Sequence, residues 1–162
     1  MDIWEDTVLT LFLQAIPEMI AFSLLVVVIT KDLKNWKKAV LVGVILVVAL
    51  HFIRMVPDVV FGVHTIIFMC LAVILYRLVL NVHVAKIIVA MILGLLVIFA
   101  GEALTFLVII GFTGLSIDEI MSDTYWRLAS GWSHIIMMFA ITYFLYRRII
   151  KEKRATWSII RK

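Results

Sequence analysis

The sequence has very little of what a soluble or disulfide-stabilised protein needs. Its 162 residues include one cysteine, Cys70, which lies inside an apolar run, so the chain cannot build a disulfide framework of its own. Two prolines and seven glycines are too few for a low-complexity linker. Only 16% of the residues are charged, against roughly 25% in soluble domains. These shortages exclude a secreted disulfide scaffold and an ordinary soluble domain.

Catalytic motifs are missing as well. The chain contains no HExxH, no GxSxG and no glycine-rich phosphate loop. Ser130 and His134 form the one serine–histidine pair at helical spacing, but side chains one turn apart on a helix rarely align for nucleophilic attack. No two histidines, and no histidine–glutamate pair, have ligand spacing on one helix, which disfavours a metal site. We therefore predict a protein that is not an enzyme, with no catalytic residue, no cofactor and no metal.

Long apolar runs dominate what is present. Hydrophobic residues make up 65% of the chain and the mean hydropathy is +1.16. A helix of about 20 apolar residues crosses a bilayer, and five stretches approach that length: 8–30, 38–56, 63–80, 86–112 and 128–148. The longest connection between them, 114–127, is predicted to be a loop. The acidic start, MDIWEDTV, does not suit a cleaved signal peptide. We predict an all-α polytopic membrane protein, with a domain of about five transmembrane helices (1–148) and a basic juxtamembrane tail (149–162).

The charges predict the orientation of these helices. Of the 15 lysines and arginines, 13 lie on one side: Lys31, Lys34, Lys37, Lys38, Arg77, Lys86 and seven between Arg147 and Lys162. By the positive-inside rule that side is cytoplasmic, so the amino terminus lies outside and the carboxyl terminus inside. Aromatic residues near span ends are typical of an interfacial belt: Trp4, Trp36, Tyr76, Trp126 and Trp132. Because the cations adjoin apolar spans, the expected partner is an anionic bilayer surface and not nucleic acid.

Ionisable residues inside the spans are the candidate functional residues, since charge within a membrane is costly. They lie at the midplane or in the outer half of each span, whereas the inner halves are almost purely aliphatic. We predict an outward-facing polar cluster built from Glu18, His51, Arg54, His64, Glu102 and His134. The cluster has three readings: a network that only fixes helix register, a binding pocket, or a proton or ion pathway. Gly43 and Gly94 are candidate points of close helix contact.

Five segments carry a family resemblance. LQAIPEMI, RMVPDVVFGVHT, FAGEALTF, GLSIDEIMSD and WRLASGWSH together resemble the amino-terminal membrane sensor region of sporulation-type and related histidine kinases of Gram-positive bacteria. In that family about five helices precede a cytoplasmic kinase core. The resemblance covers nearly the whole chain and implies a signal-receiving module in a bacterial plasma membrane. It also implies a signal site drawn from Pro17, Glu18, Arg54, Pro57, His64, Glu102 and Trp132.

The kinase core itself has no counterpart here. The sequence shows neither a phosphoacceptor segment nor nucleotide-binding glycines, so kinase activity is not carried over. The expectation is a stand-alone relative of the sensor module or a fragment of a longer protein. The leading functional hypothesis is a sensory or regulatory module of a two-component signalling system, with Arg54 paired to Glu102 or Glu18. The alternatives are a small transporter or channel component and a structural or assembly protein. Besides the lipid bilayer, the candidate partners are an external small ligand or peptide, a cytoplasmic kinase or regulator, and a second copy of the chain in a homo-oligomer.

Overall fold

The computed structural model describes residues 10–54 and 63–160, except for the side chains of Arg54, His64 and residues 152–160. The described residues form six α-helices: α1 (Ile16–Thr30), α2 (Trp36–Arg54), α3 (Val63–Leu80), α4 (Val84–Thr113), α5 (Ile117–Ser122) and α6 (Thr124–Ile160). A π-helical segment, Leu11–Ala15, leads directly into α1, and a 3₁₀ turn, Leu33–Asn35, leads into α2. The described part of the chain contains no β-strand. The all-α prediction is therefore confirmed for it.

Four segments are long and apolar enough to cross a membrane: Leu11–Thr30, Leu33–Ile53, Val84–Thr113 and Thr124–Lys151. The third predicted span forms the apolar helix α3, but its 18 residues are shorter than the others. A multi-pass membrane protein is thus supported by the fold. The count of five spans and the orientation stay predictions.

Helix α1 occupies the centre of the bundle and packs against α2, α4 and α6. Its side chains Phe22, Leu25 and Val26 are buried among residues such as Leu46 of α2 and Met91 of α4. Large apolar side chains on the outer surface, including Leu107 and Phe112, are instead exposed. A soluble protein rarely leaves such side chains in water over long stretches, whereas hydrocarbon accommodates them.

The two glycines predicted to mark close contacts do so. A Cβ on Gly43 would lie 2.7 Å from the Met19 carbonyl oxygen, and one on Gly94 would lie 2.5 Å from the Phe22 ring. Both contacts are with α1. Small residues on α2 and α4 therefore allow these helices to approach the central helix closely.

Tyr76 does not belong to an interfacial belt. It is 0% exposed, and its hydroxyl lies 2.8 Å from Ser23 Oγ on α1. Ser23 Oγ also donates to the Met19 carbonyl at 2.6 Å. The prediction for Tyr76 was wrong because a tyrosine near a span end suits the membrane interface and also a buried site with a hydroxyl partner.

The predicted outer loop, 114–127, is mostly helical. Ser116 and Glu119 form a reciprocal capping box at the start of α5, with the Ser116 backbone N–H 2.7 Å from the Glu119 carboxylate. Hydrogen bonds from Ser116 hold the pKa of Glu119 below its usual value. Asp123 then caps α6, since its Oδ1 accepts from the N–H groups of Tyr125 and Trp126 at 2.9 and 3.0 Å. Helix α6 consequently begins at Thr124, four residues before the predicted span.

Helices α4 and α6 are both longer than a bilayer requires. The 30 residues of α4 form one helix that ends where Gly114 adopts φ +71°. Helix α6 passes the predicted boundary between residues 148 and 149 without interruption. The basic segment after residue 148 is therefore a continuation of the last helix in the described structure.

Candidate functional site

The site is centred on His134, whose side chain is 1% exposed between three helices. Its Nε2 lies 3.7 Å from Glu18 Oε2 on α1, and its Nδ1 lies 3.9 Å from Glu102 Oε1 on α4. Both distances exceed the usual hydrogen-bond range of about 2.7–3.2 Å. Within the described residues, neither ring nitrogen has a hydrogen-bond partner. The imidazole thus lies between two carboxylates and forms a hydrogen bond with neither. We call Glu18, His134 and Glu102 the triad.

Local backbone features allow the triad to form. The π-helical segment Leu11–Ala15 ends just before Pro17, which cannot donate a backbone hydrogen bond and whose ring crowds the preceding turn. Glu18 follows directly. On α4, a Cβ at Gly101 would lie 2.5 Å from His134 Cβ, so only glycine lets α4 approach α6 at that level. Glu102 is the next residue, and the close approach brings it to His134.

Hydroxyl groups join α4 and α6 beside the triad. Thr105 Oγ1 donates to Ser133 Oγ, and Ser133 donates to the Ser130 carbonyl at 2.8 Å. In hydrocarbon such bonds between helices hold their relative position, because the backbone of each helix already satisfies itself.

A cavity of roughly 360 Å³ adjoins the triad. Its described lining residues come from the segment before α1 and from α4, α5 and α6: Thr10, Gln14, Glu102, Phe106, Ile117, Met121, Arg127 and Ser130. Helix α5 covers it with two apolar side chains. Glu102 belongs to both the cavity and the triad, so it connects the two.

Two residues that line the cavity have polar atoms without partners. Gln14 Oε1 and Arg127 Nε are buried and have no hydrogen bond among the described residues. The Arg127 guanidinium makes a long contact with the Thr10 hydroxyl, 3.5 Å from Nη2 to Oγ1. Buried polar atoms in native proteins nearly always have partners. Because a cation and an amide with unpaired atoms line one cavity, this region is suited to hold a small polar ligand.

The structure brings together three of the six residues predicted for the polar cluster: Glu18, Glu102 and His134. His51 lies half-buried on α2, with its ring against Phe52 at 6.0 Å, and is not among the described lining residues. Trp132 is 40% exposed on α6 and is not among them either. The side chains of Arg54 and His64, and with them the proposed pairing of Arg54 with a glutamate, lie outside the described residues, as does Pro57.

Arg127 and the cover formed by α5 were not predicted as parts of the site. The pattern that points to Arg127 is its spacing, since Arg127, Ser130 and His134 occur at i, i+3 and i+7 and therefore share one face of a helix. This shared helix face was not recognised because residues 114–127 were predicted to be a loop. Gln14, four residues before Glu18, was not predicted as part of the site either.

The geometry does not suit a single metal ion. No group of three or more histidine, cysteine, aspartate or glutamate side chains in the described ranges is arranged to hold one. The two carboxylates of the triad approach opposite nitrogens of one imidazole, so all three groups cannot face a common ion. The arrangement is better suited to exchanging a proton between His134 and either carboxylate.

Comparisons with known proteins identify no relative of this chain. No protein-family model matches the chain, and no curated protein or solved structure is significantly similar to it. The resemblance to histidine-kinase sensor regions therefore stays a prediction.

Proposed function

We propose that this chain is a membrane-embedded sensory or regulatory module. A small polar ligand would bind in the cavity covered by α5, and the change would pass along α6 to a cytoplasmic kinase or regulator. The observation that carries the proposal is the continuity of α6. One helix of 37 residues, about 55 Å long at 1.5 Å per residue, bears Arg127, Ser130 and His134 near its start and the basic segment near its end.

Ligand binding has a physical means of moving α6. A ligand that accepts from Arg127 Nε and donates to Gln14 Oε1 would supply partners that the described cavity lacks. Because Arg127 is on α6 and Gln14 precedes α1, such a ligand would favour one relative position of these two helices. Differential affinity for two helix arrangements is what a ligand needs in order to shift their populations.

Ligand binding in the cavity would also change the interactions within the triad. Glu102 is 39% exposed and lines the cavity, while Glu18 is 24% exposed on the other side of the buried imidazole. A cationic group of the ligand near Glu102 would compete with a protonated His134 for that carboxylate. The resulting change in charge at His134 acts on α1, α4 and α6 together, since all three helices meet there.

The triad also favours one alternative, a small transport component that handles protons. An imidazole between two carboxylates is an arrangement that can pass a proton from one acid to the other. Beyond the triad, however, the described core toward the basic end contains mainly apolar side chains such as Phe22 and Met91, besides the hydroxyls of Ser23 and Tyr76. Proton flux into liposomes that depends on Glu18 would favour this alternative over a sensor.

The test uses the detergent-purified protein and a panel of small zwitterions and carboxylates, with thermal unfolding as the readout. A ligand at about a hundredfold its Kd should raise the free energy of unfolding by about 2.7 kcal/mol in the wild type. Arg127→Gln and Glu102→Gln should lose that increase, whereas Lys86→Gln, which removes an exposed cation on α4 outside the cavity, should keep it.

A second readout separates a sensor from a simple binding protein. Hydrogen exchange of the backbone in residues 149–160 should change when the ligand binds to the wild type and should not change in Arg127→Gln. Stabilisation of all variants alike would place the ligand elsewhere and would contradict the proposal. Binding that leaves exchange in 149–160 unaltered would contradict the role of α6.

A further inference from the structure

A second cavity lies between α1 and α6, closer to the basic end of the bundle than the triad. This groove measures roughly 460 Å³ and is largely apolar, with Leu24 and Val28 on one side and Phe139 on the other. The aromatic rings of Trp36, Tyr143 and Tyr146 line it as well. It shares no lining residue with the cavity covered by α5. A groove of this shape and composition matches a hydrocarbon chain.

One polar group in the groove has no partner. Thr142 is 8% exposed, and its Oγ1 is buried without a hydrogen bond among the described residues. A threonine in a helix normally bonds to the carbonyl one turn before it, as Thr30 does to Val26 at 2.8 Å and Thr113 does to Ile109 at 2.7 Å. Thr142 lines the groove, and its hydroxyl lacks the bond that these two threonines make.

Two cations lie against aromatic rings that line the groove. The Lys37 ammonium lies 5.6 Å from the centre of the Trp36 ring, and the Arg147 guanidinium carbon lies 5.7 Å from the centre of the Tyr143 ring. Both cations are exposed. Their contacts with lining residues hold positive charge beside an apolar groove, which is complementary to an amphiphile with an anionic head.

We propose that this groove binds one anionic phospholipid. Lys37 and Arg147 would contact the phosphate, and an acyl chain would lie against Leu24 and Phe139. Thr142 lies five residues before Arg147, about 7.5 Å along the helix toward the membrane centre. In a bilayer the ester groups are deeper than the phosphate, so the Thr142 hydroxyl would donate to an ester carbonyl.

The experiment measures lipid binding to the whole protein purified in dodecyl maltoside, by native mass spectrometry and by the midpoint of thermal unfolding. Dioleoyl phosphatidylglycerol should bind and raise the midpoint. Dioleoyl phosphatidylcholine, which has the same chains and no net charge, should bind at least tenfold more weakly. Glycerol phosphate, which has no chain, should give no shift, since the proposal is for a lipid and not for a free phosphate.

Variants locate the lipid. Lys37→Gln combined with Arg147→Gln should lower the affinity for phosphatidylglycerol on the order of tenfold, since each cation near an anionic surface contributes substantially to binding. Thr142→Val keeps the side-chain shape and should lower the affinity by about threefold through loss of one hydrogen bond. Lys86→Gln removes an exposed cation outside the groove and should leave the affinity unchanged. The thermal midpoint without lipid shows that each variant is folded.

Three results would overturn the proposal. Equal affinity for the two lipids would mean that the groove does not select an anionic head. A loss in Lys86→Gln as large as in the double variant would mean that general surface charge attracts the lipid. Unchanged affinity in Thr142→Val would mean that the lipid does not bind in the groove. None of these results bears on ligand binding at Arg127, so the two proposals fail independently.

Discussion

Gly101 and His134 determine how closely α4 and α6 approach at the triad. A methyl group on Gly101 would lie 2.5 Å from His134 Cβ and 2.8 Å from its Cα, and neither atom can move without moving α6 itself. Gly101→Ala should therefore destabilise the protein by about 1–3 kcal/mol, as overpacking of a close contact generally does. Chemical unfolding in detergent micelles measures the difference in free energy.

Gly111 provides the matched control on the same helix. A Cβ added there has no atom within 4 Å, and alanine is more favourable than glycine inside a helix by roughly 0.5–1 kcal/mol. Gly111→Ala should leave stability unchanged or raise it slightly. Equal destabilisation by both substitutions would show that α4 does not need glycine specifically at the triad.

The residues of the triad were predictable because each is an ionisable group in an apolar span. Glu18, Glu102 and His134 stand out against their aliphatic neighbours, and the cost of burying charge makes such residues expected partners. Which of the six predicted cluster members would meet could not be read from the sequence. Depth along each helix follows from counting residues, but the facing direction depends on packing at positions such as Gly101.

At the scale of helices, Ser23 and Tyr76 form a polar contact inside an apolar core. Their hydroxyls are 2.8 Å apart and both side chains are 0% exposed, so the contact links α1 to α3. A double-mutant cycle of Ser23→Ala and Tyr76→Phe should give a coupling free energy of about 0.6 kcal/mol and no more than about 1.7 kcal/mol, the range measured for hydrogen bonds between membrane helices. Unfolding of the four proteins in detergent provides the four values.

Tyr125 tests whether the effect is specific. It is 77% exposed on α6, so Tyr125→Phe should change stability very little, alone or combined with Ser23→Ala. A coupling energy near zero for Ser23 and Tyr76 would mean that the hydroxyls contribute independently and that α3 is held by apolar packing alone.

Helices themselves were largely predictable, and their ends were not. Apolar runs of about 20 residues leave the backbone no alternative to a helix in hydrocarbon, so the described cores of all five predicted spans are helical. The errors in the predicted helix ends occur where polar side chains cap helices. The Ser116–Glu119 capping box and the Asp123 cap converted a predicted loop into α5 and the first turn of α6. Capping patterns were visible in GLSIDEIMSD, but the acidic residues were interpreted only as charges of an outer loop.

For the molecule as a whole, the distribution of charge predicts the orientation in the membrane, and helix length predicts the number of crossings. The asymmetry of 13 basic residues against two predicts which end faces the cytoplasm. Helix length determines how often the chain crosses. The shortest of the predicted spans forms α3, whose 18 residues extend about 27 Å, slightly less than a hydrocarbon core of about 30 Å. A short helix of this kind can cross only if the bilayer thins or its flanking residues extend to the interface.

Single cysteines at four positions test both statements, in a Cys70→Ser background and with a membrane-impermeant maleimide. Asp118→Cys should react in intact cells, whereas Lys151→Cys should react only after permeabilisation, because α6 separates them and the basic end is inside. Reaction of Lys151→Cys alone in intact cells would place the basic end outside, and the positions of residues 34 and 86 would then show whether the whole orientation is reversed or α3 does not cross. Lys34→Cys and Lys86→Cys bracket α2 and α3, so they lie on the same side if both helices cross and on opposite sides if α3 does not. Protection of both in intact cells is the result expected for five spans, since two cations separated by two complete crossings must return to the same face of the membrane.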